Sequence, residues 1–381
     1  MASARTAAPA HVDLLVVGAG IHGAAVAAEA TRRGLTVLVA ERTAPAAGTS
    51  SRSSKLIHGG LRYLEHGRID LVRESLASRA TLLREAPDLV ELAPFLLPVF
   101  AGSARGPLTI RLGLLLYWLL SLPRPTRFQA LARSEWPSAD GLRTDGLRAV
   151  FQYSDGMTDD AALTRRVLAG AEARGATLLF PATLEGLTLG ASGVAAQLRT
   201  PAGAQEVRAR AAVNAAGPWL TEVLARVTPA VKLPAVELVR GSHLELPPRA
   251  LAGTYYIESP RDARPLFVIP RDDHTLVGTT EVRHEDGPDK VAPSVAEREY
   301  LLEAVAAHFP RWAADGGLEV RNAWAGLRVL PAASGGFNAR SRETLLHSDR
   351  ADRPRIVSIV GGKLTTHAAT ARDCLALLAL G

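Results

Sequence analysis

The chain contains very little sulfur and has no long uninterrupted apolar run. Cys374 is the only cysteine in 381 residues. A single thiol excludes an internal disulfide, so we expect the protein to work in a reducing compartment, the cytoplasm. The most apolar segment, residues 112–122, is too short to cross a bilayer, which requires about 20 apolar residues. These shortages argue against a disulfide-stabilised secreted domain and against a membrane-spanning role for that segment.

The chain also lacks a concentrated block of charge. It carries 44 basic and 38 acidic residues, and the resulting net charge of +6 is spread along the sequence. Neither zinc-finger spacing nor the alternation of aromatic and basic residues typical of RNA-binding domains is present. The dispersed positive charge therefore favours an acidic small molecule or an anionic surface as partner, and we predict no nucleic-acid partner.

Residues 112–122 allow two interpretations. A helix of this composition is typical of a protein core, and we favour a buried helix. The alternative is an interfacial helix that contacts the inner face of the cell membrane, because arginines flank the segment on both sides. The second interpretation predicts peripheral membrane association. The flanking arginines are Arg105, Arg111, Arg124 and Arg127.

A dinucleotide-binding fingerprint occupies residues 13–41. The three glycines of its G-x-G-x-x-G pattern are Gly18, Gly20 and Gly23. They allow a tight turn, close approach of a pyrophosphate, and close packing of helix on strand. Ile21 and His22 begin the helix, whose N-terminus offers N–H groups to an anion. Glu41 ends the second strand, where a ribose hydroxyl is expected; its charge disfavours NADP but leaves NAD and FAD open.

Residues 49–66, TSSRSSKLIHGGLRYLEH, fit neither an amphipathic helix nor an alternating strand. The segment combines hydroxyl groups, glycines and cations. Such a stretch predicts a loop shaped for a ligand, with backbone N–H groups, hydroxyl groups and positive side chains directed at anionic groups.

Two later segments narrow the choice of cofactor. Residues 213–219, VNAAGPW, resemble the motif that closes the FAD domain of the D-amino-acid oxidase superfamily. Residues 357–366, VSIVGGKLTT, resemble the turn that brings helix N–H groups to the flavin ring in that superfamily. A positive helix end would stabilise the negative charge that develops on the reduced flavin. The resemblance therefore implies FAD.

Together with residues 49–66, these motifs make the chain similar to FAD-dependent glycerol-3-phosphate dehydrogenases, including the related α-glycerophosphate oxidases. The similarity extends from about Asp13 to Thr366. In that family a helical C-terminal domain usually follows the Lys-Leu-Thr-Thr motif, whereas this chain ends at Gly381. The resemblance implies a quinone as electron acceptor and a homodimer as the assembly.

The resemblance also implies a set of FAD-binding residues in the fingerprint, the 49–66 segment and the two later motifs. They are Gly18, Gly20, Ile21, His22, Gly23, Glu41, Arg42, Thr49, Ser50, Ser53, Ser54, Lys55, His58, Gly59, Leu61, Ala216, Gly217, Trp219, Gly362, Lys363, Leu364 and Thr365.

The substrate pocket implied by the resemblance is rich in cations, as a phosphate dianion requires. The implied substrate-binding residues are Lys55, Arg62, Tyr63, His243 and Arg328. His243 is the expected base, because its ordinary pKa lies near working pH, and Arg328 or Lys363 would hold the developing alkoxide. Residues 153–155 and 159–160 are interpreted as a helix-capping turn without a chemical role, and no metal site is predicted.

The predicted fold is α/β, with a discontinuous Rossmann-like FAD-binding domain and an α+β substrate domain that contains an antiparallel sheet. Residues 12–98, 150–225 and 322–381 are assigned to the FAD-binding domain. Residues 99–149 and 226–321 are assigned to the substrate domain. Residues 1–11 lack the apolar segment of a secretory signal and are predicted to be a disordered extension.

Three functions are compatible with this sequence. The first is oxidation of sn-glycerol 3-phosphate to dihydroxyacetone phosphate by hydride transfer to FAD N5, with electrons passed to a quinone. The second is a related FAD-dependent oxidase or dehydrogenase that acts on another hydroxy acid or amine. The third is an FAD-binding scaffold without activity, which the retained cations and histidine argue against.

Overall fold

The computed structural model describes residues 8–122, 128–136, 140–332 and 344–380. The strands in these ranges are β1 (His11–Val17), β2 (Val37–Ala40), β3 (Leu56–Ile57), β4 (Val90–Phe100), β5 (Phe128–Ala130), β6 (Leu147–Thr158), β7 (Thr177–Leu179), β8 (Thr183–Leu189), β9 (Val194–Thr200), β10 (Gly203–Asn214), β11 (Val227–Thr228), β12 (Val236–Leu246), β13 (Thr254–Glu258), β14 (Pro265–Pro270), β15 (Thr275–Gly278), β16 (Val282–His284), β17 (Asn322–Pro331), β18 (Leu345–Ser348) and β19 (Ile356–Val360). The α-helices are α1 (Ile21–Arg32), α2 (Ile69–Glu85), α3 (Pro107–Leu120), α4 (Asp160–Ala173), α5 (Leu220–Leu224), α6 (Val295–His308), α7 (Pro310–Ala314) and α8 (His367–Leu377).

The first sheet has a parallel centre. β1 lies between β2 and β10, and β7 continues the sheet beyond β2. Near its end β10 pairs in parallel with β19, and its first half pairs with β9 in an antiparallel meander with β8. β1 and β2 are almost continuously apolar because helices and strands cover both faces of a central parallel sheet.

Helix α1 packs closely on this sheet, as the fingerprint predicts. A Cβ atom on Gly23 would lie 1.9 Å from the carbonyl oxygen of Gly18. Four alanines of α1 are buried, and α1 packs against α4 and α8. Small residues therefore allow the helix to approach the strands, and its N-terminus lies at the carboxyl end of β1.

The second sheet is mostly antiparallel. Its strand order is β16-β12-β15-β14-β13-β4-β6-β3, with β17 paired to β12 and β5 paired to β6. The predicted fold class, α/β with a Rossmann-like FAD-binding part and an α+β part that contains an antiparallel sheet, is confirmed. Four strands of this sheet, β3, β4, β6 and β17, come wholly or partly from segments that the sequence analysis gave to the FAD-binding domain. Periodicity identifies a strand but not its partner, and the domain boundaries stay a prediction.

Two local predictions need correction. Residues 153–155 lie inside strand β6 and do not form a capping turn, whereas Asp159 does cap α4 by accepting a hydrogen bond from the Ala162 N–H. The predicted disordered extension, residues 1–11, overlaps β1, which begins at His11; residues 1–7 lie outside the described ranges.

The prediction of a buried helix at residues 112–122 is wrong, because most of helix α3 is not buried. Only Leu114 and Tyr117 are buried. Composition predicts an apolar helix but does not show how much of its surface meets the protein. Arg124 and Arg127 lie outside the described residues. We call the exposed side the leucine face; it consists of Leu108, Leu112, Leu115, Leu116 and Leu119.

Candidate active site

A cavity of about 640 Å³ is lined by residues of both sheets. The first sheet contributes the carboxyl ends of β1, β2 and β19, together with the start of α1. The second sheet contributes parts of β12, β14 and β17. In open α/β sheets, ligands bind outside the carboxyl ends of the strands, so the cavity lies where the fold predicts a ligand.

The end of the cavity near α1 has the features of a dinucleotide site. Gly18 has φ +104°, and a Cβ atom there would lie 2.7 Å from the Ala215 carbonyl oxygen. The Glu41 carboxylate accepts hydrogen bonds from the Ala19 N–H at 2.9 Å and the Thr43 N–H at 2.8 Å. Helix N–H groups and a fixed carboxylate are thus available for a pyrophosphate and a ribose.

The 49–66 segment connects the two sheets. The Thr49 hydroxyl donates to the Leu327 carbonyl at 2.7 Å. Ser53 and Lys55 both bind the buried Asp160 carboxylate, the Lys55 ammonium at 2.5 Å. Ser54 Oγ lies 2.9 Å from Nε2 of His243. The segment therefore fixes the relative position of the cofactor side and the second sheet.

His243 is buried and held on two sides. Its ring stacks on Trp324, with centroids 4.2 Å apart, while Ser54 meets Nε2. Burial, together with the charges of Arg328 and Lys55, lowers the pKa of His243 to about 3. The imidazole is therefore neutral at neutral pH and has a lower affinity for a proton than a free histidine.

Arg328 lines the cavity opposite the glycine of β12. Its Nη1 lies 3.3 Å from Oε1 of Glu281, whose side chain is 0% exposed. Oε2 of the same carboxylate binds Nη1 of Arg264 at 2.6 Å. A Cβ atom on Gly241 would lie 3.2 Å from Nη2 of Arg328. Glycine therefore leaves room beside this guanidinium.

Lys363 reaches the cavity from the turn after β19. Gly361 and Gly362 both have positive φ, 75° and 101°. A Cβ atom on Gly362 would lie 2.1 Å from Nε2 of His22. The Lys363 ammonium lies 4.1 Å from the centre of the Tyr63 ring, a cation–π contact. A cation and a phenol therefore face the same space as His243 and Arg328.

A buried polar cluster holds the glycines beside Tyr63. The Asp155 carboxylate accepts hydrogen bonds from Nη1 of Arg79 at 2.6 Å and from the Tyr117 hydroxyl at 2.9 Å. The Gly59 N–H donates to the Tyr117 hydroxyl at 2.9 Å. Helix α3 thereby supports the loop that carries Tyr63 into the cavity.

Most predicted site residues lie on the cavity wall. Those on the wall are Gly18, Gly20, Ile21, His22, Glu41, Arg42, Thr49, Ser50, Ser53, Ser54, His58, Tyr63, Ala216, Gly217, Trp219, His243, Arg328, Gly362, Lys363, Leu364 and Thr365. Those that do not line it are Gly23, Lys55, Gly59, Leu61 and Arg62.

The residues away from the wall have other contacts. Gly23 is in the first turn of α1 and packs on Gly18, the Lys55 ammonium is paired with Asp160, and the Gly59 N–H is bound by Tyr117. Leu61 lines a separate cavity of about 300 Å³. The roles of individual residues toward cofactor and substrate stay predictions.

The sequence analysis missed several residues that shape the site. Asp160, interpreted as part of a capping turn, organises Ser53 and Lys55, and Trp324 packs on His243. Neither has a local signature, because each reaches its partner through tertiary pairing. Gly241 could have been noticed as a glycine inside a strand, which often marks close approach of a ligand.

Two orphaned nitrogen atoms bear on the fit of a cofactor. Nδ1 of His22 and Nδ1 of His243 are buried and have no hydrogen-bond partner within the described part of the chain. His22 and Gly362 lie at the cavity next to the α1 N-terminus. A long cavity with a glycine-lined helix N-terminus, a fixed carboxylate and unsatisfied polar atoms fits a dinucleotide. The fold and site therefore define a dinucleotide-binding oxidoreductase.

Similarity to known proteins narrows this class to a family of oxidoreductases. The chain is 36% identical over 368 residues to the D-erythritol 1-phosphate dehydrogenase of Brucella abortus, covering 94% of this chain and 72% of that protein. It is 37% identical over 390 aligned positions to the glycerol-3-phosphate dehydrogenase of Pseudomonas aeruginosa, covering 96% and 71%. The structure of Bacillus halodurans glycerol-3-phosphate dehydrogenase complexed with FAD superposes with a TM-score of 0.72 at 28% identity, covering 97% of this chain and 64% of that one.

The family model described as FAD dependent oxidoreductase matches residues 13–373, and the chain belongs to that family. The resemblance drawn from the sequence motifs and the choice of FAD as cofactor are confirmed. The chain spans 64% of the length of the Bacillus halodurans protein. Within the described ranges, none of the helices has both the length and the apolar character needed to cross a membrane.

Proposed function

We propose that the protein oxidises a polyol phosphate, with sn-glycerol 3-phosphate as substrate and dihydroxyacetone phosphate as product. The proposal depends on one observation: neutral His243 lines the same cavity as two cations, Arg328 and Lys363, and that cavity fits FAD. The names of the relatives support the same substrate class.

The residues that would hold FAD are those on the α1 side of the cavity. The α1 N-terminus would bind the pyrophosphate, Glu41 a ribose, and the turn at Gly361 and Gly362 the flavin ring. When bound, FAD supplies the acceptor for the hydride that leaves C2 of the substrate.

The side chains around His243 would perform the remaining steps. His243 accepts the C2 hydroxyl proton at Nε2, the nitrogen beside Ser54. The stacked Trp324 ring holds the orientation of the imidazole. Arg328 and Lys363 bind the anionic substrate and stabilise the developing alkoxide. Each charge-assisted hydrogen bond to phosphate contributes about 1.5–3 kcal/mol. Loss of two such bonds would disfavour glycerol by two orders of magnitude or more.

A second candidate substrate is D-erythritol 1-phosphate, because a relative of that name is 36% identical over 94% of this chain. Both substrates carry a phosphate and a secondary hydroxyl, so the cationic site accommodates either chemistry. Steady-state kcat/KM values for the FAD-loaded protein with these two phosphates, with glycerol and with an amine separate the candidates. A preference for the amine or for unphosphorylated glycerol would refute the proposal.

The electron acceptor that we propose is a membrane quinone. The leucine face of α3 supports this, because Leu112 and Leu116 belong both to that exposed surface and to the wall of the 300 Å³ apolar cavity. An exposed apolar helix face of this kind is typical of a membrane-contacting surface. We therefore propose peripheral contact with the inner face of the cell membrane. The homodimer stays a prediction.

A further inference from the structure

The second sheet contains a carboxylate that the proposed reaction does not use directly, Glu281. It follows β15, and its side chain is completely buried although it is charged. Buried carboxylates are rare unless they are paired, and removing one partner of such a pair leaves an uncompensated charge. The two oxygens of Glu281 bind two different arginines, Arg264 and Arg328.

The two arginines have different surroundings. Arg264 is 8% exposed, and its Nε lies 3.3 Å from the Thr279 carbonyl oxygen, so it is anchored to the backbone next to Glu281. Arg328 is 28% exposed and lines the main cavity. One side of the carboxylate is therefore fixed in the protein, and the other side holds a guanidinium that faces the ligand space.

This arrangement fixes the direction of Arg328. Nη1 is bound by Glu281, while Nη2 lies beside Gly241, where a Cβ atom would lie 3.2 Å from Nη2 and 2.6 Å from Oγ1 of Thr279. A guanidinium recognises a phosphate through paired N–H groups in a fixed plane, so its orientation decides how well it binds. An unanchored arginine would lose rotamer freedom on binding and would bind more weakly.

We infer that Glu281 is a positioning residue, which orients Arg328 for the phosphate group of the substrate and thereby sets the preference for phosphorylated over unphosphorylated polyols. The inference rests on the proposed function. It assigns to Glu281 an effect on binding of the anion, separate from the proton transfer at His243.

The test compares Glu281→Gln with wild type, both loaded with FAD. Glutamine keeps the size of the side chain and removes the charge that holds Arg328. We expect the dissociation constant of inorganic phosphate, measured by calorimetry, to rise at least about tenfold, the effect of one charge-assisted hydrogen bond. We expect KM for glycerol 3-phosphate to rise similarly, with a smaller change in kcat and a smaller loss of kcat/KM for glycerol.

Asp349→Asn is the matched control, because Asp349 is also buried and paired with an arginine, Arg355, but lies outside the cavity wall. It should lower the melting temperature without changing phosphate binding. If Glu281→Gln does not fold, Glu281→Asp keeps the charge and shortens the reach, and weaker phosphate binding is expected again.

The outcomes separate this inference from the function on which it rests. Wild-type binding of phosphate at normal strength with equal binding by the Glu281 variants would overturn the positioning role and leave the proposed function standing. Failure of the wild-type protein to bind phosphate would overturn both. A loss of phosphate binding that Asp349→Asn reproduces would show a general effect of instability and would also reject the positioning role.

Discussion

His243 combines a neutral ring with a strongly polar neighbourhood. Burial and two nearby cations lower its pKa to about 3, and Ser54 and Trp324 fix the ring. Cations that bind a phosphate repel an imidazolium, so the charges of Arg328 and Lys55 keep the histidine neutral and lower its affinity for a proton. The same charges thus affect both anion binding and the proposed base.

Replacing His243 by Asn should lower the rate of flavin reduction by about 10²–10⁴-fold, the usual contribution of a general base. Because Arg328 and Lys363 remain, binding of the phosphate should change little. Stopped-flow absorbance at the flavin band measures the rate. Ser54→Ala is the control, since it removes one hydrogen bond and keeps the imidazole; its effect should be much smaller. An undiminished rate in His243→Asn would show that another group accepts the proton.

Gly241→Ala should weaken substrate binding without loss of FAD. The added Cβ would lie 2.6 Å from Oγ1 of Thr279 and 3.2 Å from Nη2 of Arg328, so the guanidinium must shift. We expect KM for glycerol 3-phosphate to rise by about tenfold, the effect of one misdirected charge-assisted hydrogen bond. Gly186→Ala is the control, because that strand glycine has open space around its Cβ position. Equal KM values for the two variants would contradict this description of the site.

At the scale of elements, α3 has two functional sides. Its buried side places the Tyr117 hydroxyl against the Gly59 N–H and the Asp155 carboxylate, which supports the loop that carries Tyr63. Its outer side is the leucine face. Helix α3 contacts the loop that carries Tyr63 on one side and exposes the leucine face on the other. The proposed membrane contact therefore lies close to that loop.

Charges on the leucine face should prevent membrane binding without unfolding the protein. We expect Leu115→Glu combined with Leu119→Glu to abolish cosedimentation with anionic phospholipid vesicles, because both side chains are exposed and the change adds negative charge. Reduction of the flavin by substrate in solution should be unchanged. Leu345→Glu, an exposed leucine on β18, serves as the control. Vesicle binding by the double variant at the wild-type level would exclude this face as the contact.

At the scale of the whole molecule, the geometry of the site depends on the register between distant strands rather than on local sequence.

The fingerprint, the helix α1 and the turn at Gly362 were predicted correctly because their geometry is local: glycine spacing specifies a turn, and an apolar run specifies a buried strand. The partners of His243 and Arg328 were not predictable in this way. Pairing of β12 with β17 places His243 opposite Trp324, and a shift by one residue would turn these side chains to the other face. The exposure of α3 also depends on what covers it, which composition does not contain.

Buried histidines should make global stability sensitive to mild acid. Burial lowers the pKa of His22, His243, His308 and His367 below the ordinary value near 6.5. The unfolded chain therefore binds more protons than the folded one as pH falls below about 6.5, and the free energy of unfolding should decrease from pH 7 to pH 5.

Urea unfolding at several pH values measures this dependence. His308→Asn should reduce the slope because it removes one of the four groups, whereas Asp70→Asn, at an exposed carboxylate whose pKa is lowered by Arg68, should leave it unchanged between pH 7 and pH 5. A free energy of unfolding that rises as pH falls through this window would contradict the buried, neutral assignment.

The most direct test of the central claim is anaerobic reduction of the FAD-loaded protein by glycerol 3-phosphate, followed at the visible flavin band. The account predicts rapid bleaching with stoichiometric formation of dihydroxyacetone phosphate, and no bleaching by glycerol at the same concentration. A protein that holds FAD but is not bleached by glycerol 3-phosphate or D-erythritol 1-phosphate would contradict the assignment of this cavity to a polyol phosphate.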